Sequence, residues 1–276
     1  MTLNDIYHAI DPVALSLGPL QIRWYGLAYV AGFICAFLVI AKLSQRWKIR
    51  IDDDAFFTVV FCVIFGVILG GRLGYVLVYG DGYYLQHPEK ILAFNEGGMS
   101  FHGGLVGVII GGVIAAKITK IPFLTLADMG VVGVPIGLFF GRCANFINGE
   151  LWGAPTDMPW GVVFGGAAGT MPRHPSQLYE ALLEGVVLFI ILFALSRKTP
   201  ARPRGTFFGT FLLFYGLFRF TIEFIRQPDA QIGYLLGTHW FTMGQALSIP
   251  LMVAGVVFLI YAWKTKKPQM GLPDSE

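Results

Sequence analysis

Long apolar runs separated by short polar links dominate the pattern of this chain. Seven runs are close to the roughly 20 residues that a helix needs to cross the hydrocarbon core of a bilayer. Because backbone groups in lipid must pair within their own segment, these runs predict helices rather than open strands. The runs are Leu20–Ala41, Ala55–Tyr79, Gly97–Ala116, Leu124–Gly141, Leu178–Leu195, Gly205–Phe224 and Phe241–Trp263. The pattern therefore predicts an all-α polytopic membrane protein with seven transmembrane helices.

Basic residues occupy alternate links, and this alternation sets the expected orientation. Thirteen of the 20 Lys and Arg residues lie in the links after the first, third and fifth runs and in the C-terminal tail. Such an excess marks cytoplasmic loops, so we expect the N-terminus outside and the C-terminus in the cytoplasm. On the outer, periplasmic side, residues 1–19 form an N-terminal segment and residues 145–177 form the main part of a small cap. We expect residues 1–276 to make a single membrane-embedded domain.

Composition narrows the class of protein further. Hydrophobic residues make up 55% of the chain and charged residues 13%, about half the ~25% charged residues that are usual in soluble domains. A soluble, disordered or nucleic-acid-binding protein is therefore a poor interpretation. The three cysteines lie in apolar runs, which argues against a disulfide framework. Glycines spaced four apart are expected to serve close helix packing alone; they are Gly66/Gly70, Gly103/Gly107/Gly111 and Gly133/Gly137/Gly141.

Ionisable residues within and beside the runs cluster toward the outer side of the membrane. Such residues are costly in a bilayer and usually mark function. The group comprises Arg72, His102, Arg142, Glu150, Glu180, Glu184, Arg219 and Glu223. Asp128, one turn into the fourth run, is the nearest counterpart on the inner side. The clustering predicts one polar cavity that opens toward the outer leaflet.

Some of these residues also have structural interpretations. Arg72 follows two glycines and could bond helix-end carbonyls, and His102 could be a hydrogen-bonded structural histidine. Tyr25, at the outer end of the first run, fits an aromatic belt. Tyr215 shares a helical face with Arg219, four residues later.

The glutamates are expected to balance the arginines. Glu180 and Glu184 lie on one helical face and are interpreted as counter-ions. Arg219 and Glu223 could form a purely structural pair, and Arg226 continues the same stripe. The functional interpretation of Arg219 and the structural one both stay open at this point.

Several arginines in a cavity of low dielectric constant suit an anion, and above all a phosphate held by bidentate hydrogen bonds. A neutral histidine can accept a proton near pH 7. Together they suit displacement at a carbon that carries a phosphate leaving group. The sequence has no metal-ligand spacing, P-loop or G-x-S-x-G motif, so metal, nucleotide and serine-hydrolase mechanisms lack support.

One segment of the chain resembles a family signature. Residues 141–153, GRCANFINGELWG, match the pattern G-R-x-[G/A]-N-F-hydrophobic-N-x-E-x-x-G of the bacterial prolipoprotein diacylglyceryl transferases. Further stretches resemble the same family: residues 24–26 (WYG), 70–72 (GGR), 98–104 (GMSFHGG), 173–180 (RHPSQLYE) and 215–229. The resemblance covers most of the chain.

The resemblance implies an activity, two substrates and a set of site residues. The family moves the diacylglyceryl group of phosphatidylglycerol to the lipobox cysteine thiol in the signal peptide of a preprolipoprotein. It works in the bacterial inner membrane, without metal or cofactor, and releases glycerol phosphate. The implied catalytic residues are His102, Arg142 and Arg219, with His102 as the candidate base for the thiol. The implied phosphatidylglycerol contacts are Arg142, Asn145, Asn148, Glu150, Tyr25, Tyr215 and Arg72, whereas Glu180, Glu184, Glu223 and Arg226 are interpreted as structural counter-ions.

Two other classes of protein remain as alternatives. A seven-span transporter or lipid scramblase would use the arginines as a transport site, but it would also need polar residues along the cytoplasmic half. An oligomeric structural membrane protein held by its glycine faces would leave the outer charges unexplained.

Overall fold

A computed structural model describes residues 1–18, 20–80, 82–93, 97–199, 201–228 and 233–272. The chain divides into two compact units. The first unit comprises residues 1–43 and 128–268, and the second comprises residues 44–127 and 269–276. The expected single domain stays a prediction.

The described residues are mostly helical. In chain order the elements are α1 (Leu3–Ala9), β1 (Val13–Leu17), β2 (Leu20–Arg23), α2 (Trp24–Trp47), α3 (Asp53–Tyr79), α4 (Tyr83–Gln86), α5 (Phe101–Thr119), α6 (Phe123–Asn148), α7 (Ser176–Ser196), α8 (Thr206–Ile222) and α9 (Met243–Thr265). Short 3₁₀ turns lie at Pro88–Lys90 and Gly166–Ala168.

Six of these helices, α2, α3, α5, α6, α7 and α9, are long and apolar enough to cross a membrane. The sixth predicted run also forms a helix, α8, but its 17 residues make it shorter than the six. The all-α polytopic architecture is therefore supported with six candidate spans among the described residues.

The first run was expected to be helical from Leu20, and that boundary is wrong. Residues 20–23 form β2, which pairs antiparallel with β1, and α2 begins only at Trp24. Gly18 in the connecting turn has a φ of 60°, a value that glycine adopts without steric cost. The first four residues of the run therefore belong to the β1–β2 hairpin and not to the helix.

The fourth run was expected to end at Gly141, but α6 continues to Asn148. The polar residues at its end remain helical because the same turns also bury Ala144 and Phe146, which are 1% and 5% exposed. Tertiary packing of an apolar face stabilises a helix more than its intrinsic propensity does. The residues of the signature are consequently placed on a helix and the turn after it.

In the second unit, α3 and α5 pack with their backbones in contact. A Cβ atom added to Gly107 would lie 1.8 Å from the carbonyl oxygen of Gly66, and one added to Gly70 would lie 2.4 Å from that of Gly103. The expected packing role of Gly66, Gly70, Gly103 and Gly107 is confirmed, whereas a Cβ atom on Gly141 of α6 would meet nothing within 4 Å. Small residues are what allow membrane helices to approach this closely.

In the first unit, α8 is fixed at both its N-terminus and its flank. Asp128 is fully buried and accepts hydrogen bonds of 2.7 Å from the backbone N–H groups of Gly205 and Phe208. These are orphan donors at the start of a helix, which a carboxylate satisfies well. Along the flank, a Cβ atom on Gly255 of α9 would lie 2.6 Å from the backbone nitrogen of Leu213. Asp128, the carboxylate singled out in the fourth run, therefore caps a helix.

Candidate functional site

Helices α6 and α7 approach each other closely beside the predicted charged residues. A Cβ atom on Gly185 would lie 2.7 Å from the Cβ of Phe139 on α6. Phe139 is about one turn before Arg142, and Gly185 directly follows Glu184. The close contact therefore brings the arginine of one helix beside the glutamates of the other.

Helix α7 is irregular where it carries the glutamates. It begins with an α-helical turn at Ser176–Glu180, continues as a π-helix over Ala181–Val187 and returns to α-helix over Leu188–Ser196. Segments of π-helix occur frequently at functional sites. Here, the buried Glu180 directly precedes the π-helix and the buried Glu184 lies within it.

Arg142 lies between two glutamates of α7. Its Nε atom is 2.8 Å from Glu180 Oε2, and its Nη2 atom is 3.4 Å from Glu184 Oε2. The Nε contact is an ion pair without an aligned hydrogen bond, since neither atom has a hydrogen-bond partner among the described residues. Arg142 is thus held electrostatically.

Glu180 also binds two further arginines, Arg219 within α8 and Arg226 in the segment after it. Arg219 Nη1 donates to Glu180 Oε1 at 2.6 Å, and Arg226 Nη1 lies 3.5 Å from the same oxygen. Glu180 therefore contacts three guanidinium groups, one from α6 and two from the end of α8 and the segment after it. Its role as a structural counter-ion stays a prediction.

Glu223 is enclosed at the N-terminus of α9. It accepts a hydrogen bond from Arg219 Nη2, and it accepts another from the Thr242 hydroxyl at 2.6 Å. A Cβ atom on Gly244 would lie 2.4 Å from the carboxyl carbon of Glu223. Only a glycine leaves room for the carboxylate there, and a helix N-terminus favours a negative charge.

The accessible face of this cluster is made of guanidinium groups. The side chains of Arg142, Arg219 and Arg226 are 17%, 16% and 13% exposed. The side chains of Glu180 and Glu184 are fully buried, and that of Glu223 is 5% exposed. An anion that approaches the cluster would meet the arginines first. We call these six residues the Arg–Glu cluster.

The polar residues of the signature form a second group, at the end of α6. Glu150 Oε1 accepts hydrogen bonds from the side-chain amides of Asn145, at 2.7 Å, and Asn148, at 3.4 Å. Gly149 has a φ of 67° and turns the chain so that the carboxylate folds back onto the helix. The three side chains thus fix one another in a single turn.

The N-terminal segment and the loop 149–175 pack around this turn. Tyr7 of α1 has edge contacts with Phe146 and Phe164, with ring centroids 5.4 Å and 5.0 Å apart. Asn4 Oδ1 accepts a hydrogen bond of 2.9 Å from the Val163 backbone. Burial raises the pKa of the Tyr7 phenol. The signature turn is therefore supported by residues from the start of the chain.

The stretch Arg173–Glu180 comprises the end of the loop 149–175 and the first turn of α7. Gln177, fully buried, donates to the carbonyl of Glu150 at 2.6 Å. His174 Nδ1 lies 3.2 Å from the Tyr179 hydroxyl, which also accepts a 2.6 Å bond from the Trp160 indole. Because the indole is a donor only, the tyrosine hydroxyl proton is available to His174. Burial lowers the pKa of His174, which favours the neutral imidazole as its acceptor.

The two tyrosines expected at the site lie within electrostatic reach of its charged residues, Tyr215 of Arg142 and Glu184 and Tyr25 of Glu150. Tyr25 is in the first turn of α2, where its hydroxyl is 3.1 Å from that of Tyr29. Tyr215 on α8 is half-buried and stacks on Phe211 with ring centroids 5.5 Å apart. A lipid contact by either tyrosine stays a prediction.

Arg72 is buried and binds backbone carbonyls of the loop before α5. It is 2% exposed, and its guanidinium donates to the carbonyls of Lys90 at 2.6 Å, Ile91 at 2.7 Å and Gly98 at 3.1 Å, and also to that of Gly97. A buried arginine whose donors are taken by backbone carbonyls holds the loop before α5. A contact of Arg72 with the lipid stays a prediction.

His102 belongs to the second unit, at the start of α5. Ser100 caps this helix by accepting a hydrogen bond of 3.2 Å from the Gly103 N–H, and its own N–H donates to Gly71 at 2.8 Å. His102 is exposed in this first turn. The loop that Arg72 binds thus leads directly into the turn that carries the histidine.

Three residues of the first unit were missed by the sequence reasoning. Thr242 and Gly244 enclose Glu223, and Gly185 sets the approach of α7 to α6. Thr242 with Gln245 forms a capping box, a pattern that can be read from the sequence. Neither glycine carries a sequence signal that would distinguish it from the many packing glycines.

Fold and site together define a polytopic membrane protein with a largely buried cluster of three arginines and three glutamates, in which the arginines form the accessible face. The profile of the prolipoprotein diacylglyceryl transferase family matches residues 12–261. The chain belongs to this family.

Individual relatives agree over nearly their whole length. The chain is 52% identical to the phosphatidylglycerol–prolipoprotein diacylglyceryl transferase of Geobacter sulfurreducens over 257 residues, which cover 93% of this chain and 97% of the relative. It is 51% identical to the protein of the same name from Oleidesulfovibrio alaskensis, over 95% of this chain and 96% of that one. The corresponding figures for Rhodopseudomonas palustris are 46%, 98% and 96%.

Proposed function

We propose that this protein transfers the diacylglyceryl group of phosphatidylglycerol to the lipobox cysteine of preprolipoproteins. The thiol sulfur attacks the glyceryl carbon, a thioether forms, and glycerol phosphate leaves. The match to the family across residues 12–261 carries this proposal. It favours a transferase over a transporter, since the named relatives are transferases.

We also propose that the chain crosses the bacterial inner membrane seven times. α8 is then the seventh span, with the N-terminus outside and the C-terminus in the cytoplasm. The alternation of basic links supports this orientation. A short span of 17 residues is compatible with a bilayer that adapts locally or with a site that lies near one surface. The reaction then takes place toward the outer leaflet.

Within this function, Arg142 and Arg219 bind the phosphate of the lipid. Their guanidinium groups come from two different helices and share Glu180 as a counter-ion. When the carbon–oxygen bond breaks, the phosphodiester becomes a monoester and gains negative charge. Contacts that strengthen as this charge develops lower the barrier. The counter-ions hold both arginines in place before the substrate arrives.

His102 is the proposed acceptor of the thiol proton. The thiolate is the nucleophilic form, and an unperturbed thiol has a pKa of about 8.5. A neutral imidazole is therefore a useful base near pH 7. The exposed position of His102 in the first turn of α5 supports access to a substrate.

Asn145, Asn148 and Glu150 are the proposed contacts for the glycerol headgroup. A single carboxylate oxygen of Glu150 accepts the hydrogen bonds from both side-chain amides. The second oxygen and the amide carbonyls can accept hydrogen bonds from hydroxyl groups. Tyr25 and Tyr215 are retained as proposed lipid contacts through their hydroxyls.

The direct test uses the purified protein with phosphatidylglycerol vesicles and a lipobox peptide, read by the mass of the peptide. We expect one diacylglyceryl group on the cysteine and an equal amount of released glycerol phosphate. A peptide with Ser in place of the lipobox Cys should stay unmodified. Flux of labelled lipid between leaflets without any modified peptide would instead support the transporter.

A further inference from the structure

Glu184 differs from the other glutamates of the Arg–Glu cluster. Its only described polar contact is Arg142 Nη2 at 3.4 Å, whereas Glu180 contacts three arginines and Glu223 contacts two arginines and a hydroxyl. The side chain is 0% exposed, and its Oε1 atom has no hydrogen-bond partner among the described residues. It is the least compensated carboxyl group of the cluster.

Burial of an ionised carboxylate without hydrogen-bond donors is costly, and the neutral acid avoids that cost. The ionisable groups near Glu184 are Glu180 on its own helix, Arg142 on α6, and Arg219 and Tyr215 on α8. Glu180 is paired with three arginines and would repel a second negative charge beside it, whereas Glu184 is paired with one arginine. The proton therefore belongs on Glu184.

The proton on Glu184 changes the net charge of the Arg–Glu cluster. With all six residues ionised, three guanidinium groups balance three carboxylates, and an added phosphodiester would leave a net negative charge in a low-dielectric site. With Glu184 neutral, one positive charge is uncompensated, and a phosphodiester carries one negative charge. The net charge of the site with the lipid bound is then zero.

We propose that Glu184 is a neutral acid that sets the charge of the phosphate site, so that the site accepts a lipid with one net negative charge. This inference rests on the proposed function, which places the lipid phosphate at Arg142 and Arg219. Zwitterionic phospholipids have a second, cationic headgroup charge that an arginine-faced site repels. When the pH rises far enough to remove the proton of Glu184, Arg142 becomes fully compensated and lipid affinity falls.

The proton can be observed without any substrate. We expect the infrared spectrum of the protein in detergent to contain a carboxylic-acid C=O band at neutral pH that disappears in Glu184→Gln. The matched control is Glu150→Gln, which removes a carboxyl group outside the Arg–Glu cluster and should keep the band. Persistence of the band in Glu184→Gln, or its absence from the unmodified protein, would overturn the proposal.

The pH dependence of transfer gives the second readout. In the unmodified protein we expect KM for phosphatidylglycerol to rise on the alkaline side, and in Glu184→Gln we expect that rise to be absent. Transfer by Glu184→Gln should fall by less than about tenfold, and Glu180→Gln, which misplaces both arginines, should lose about 10²-fold. An alkaline rise retained in Glu184→Gln would contradict the assignment. If no variant and no unmodified protein transfers lipid, the proposed function fails, whereas the infrared result still decides the protonation of Glu184.

Discussion

Arg219 has two possible roles, since it binds Glu180 and Glu223 while remaining partly accessible. Lysine keeps the charge but cannot reproduce the planar fork of a guanidinium group. We expect Arg219→Lys to lower the rate of transfer by about 10²–10³-fold, the usual cost of losing one donor to a transition-state anion. The turnover rate should suffer more than the affinity for lipid, and steady-state kinetics separate the two.

A purely structural role for Arg219 leads to a different outcome. Lysine would then substitute well, and the double change Arg219→Leu/Glu223→Leu would restore activity lost in either single change. The structure makes such rescue unexpected, because the double variant leaves Glu180 without one of its three arginines. A double variant as active as the unmodified protein would remove Arg219 from the catalytic residues.

His102 is expected to act on the thiol rather than on the fold. His102→Gln keeps hydrogen-bonding capacity but cannot accept a proton near pH 7. We expect it to lose most of the transfer rate, by about 10²–10⁴-fold, while thermal unfolding in detergent stays unchanged. Near-normal transfer in a folded variant would exclude His102 as the base.

The approach of α7 to α6 depends on Gly185. A methyl group at this position would overlap the backbone and Cβ of Phe139, with atoms 2.7–3.2 Å away. We expect Gly185→Ala to separate the helices and to destabilise the protein by about 1–3 kcal/mol, as overpacking does. Transfer should fall as well, because Glu180 and Glu184 move away from Arg142.

Gly130→Ala is the matched control for this helix pair. Its added Cβ would meet nothing within 4 Å, and alanine is a better helix former than glycine. Unfolding in detergent and transfer should therefore be near normal in this variant. Equal damage in both variants would show that the contact with Phe139 is not the cause.

The helices were largely predictable from the sequence, and their ends were not. The apolar runs located every long helix, because length and hydropathy are strong signals in a membrane protein. Two predicted boundaries were wrong because tertiary contacts set them. Helix α2 begins later than predicted because the residues before it pair in the β1–β2 hairpin, and α6 ends later than predicted because its last turns bury Phe146. The π-helical segment of α7 also has no sequence signal.

The charged residues of the site were predictable as a set, but their partners were not. Hydropathy singles out a charge inside an apolar run, so Arg142, Arg219 and the glutamates were found. Which donor meets which acceptor depends on helix rotation and backbone approach. Arg72 shows this limit, because the carbonyls it binds lie 18 to 26 residues away in a loop.

The three cysteines of the chain, Cys35, Cys62 and Cys143, are free and half-buried. The proposed displacement uses a thiol from the peptide substrate and needs none of them. We expect the triple Cys→Ala variant to transfer the diacylglyceryl group at close to the normal rate. A lipidated cysteine trapped on the protein would show instead that the reaction proceeds through a covalent intermediate.

The central claim is that the accessible arginines of the Arg–Glu cluster hold the lipid phosphate. The most direct measurement is an experimental structure of the protein with phosphatidylglycerol bound, in the absence of a peptide. We predict that the phosphate lies within hydrogen-bond distance of the guanidinium groups of both Arg142 and Arg219, with Glu180 still behind them. A bound phosphate remote from both arginines would contradict the account.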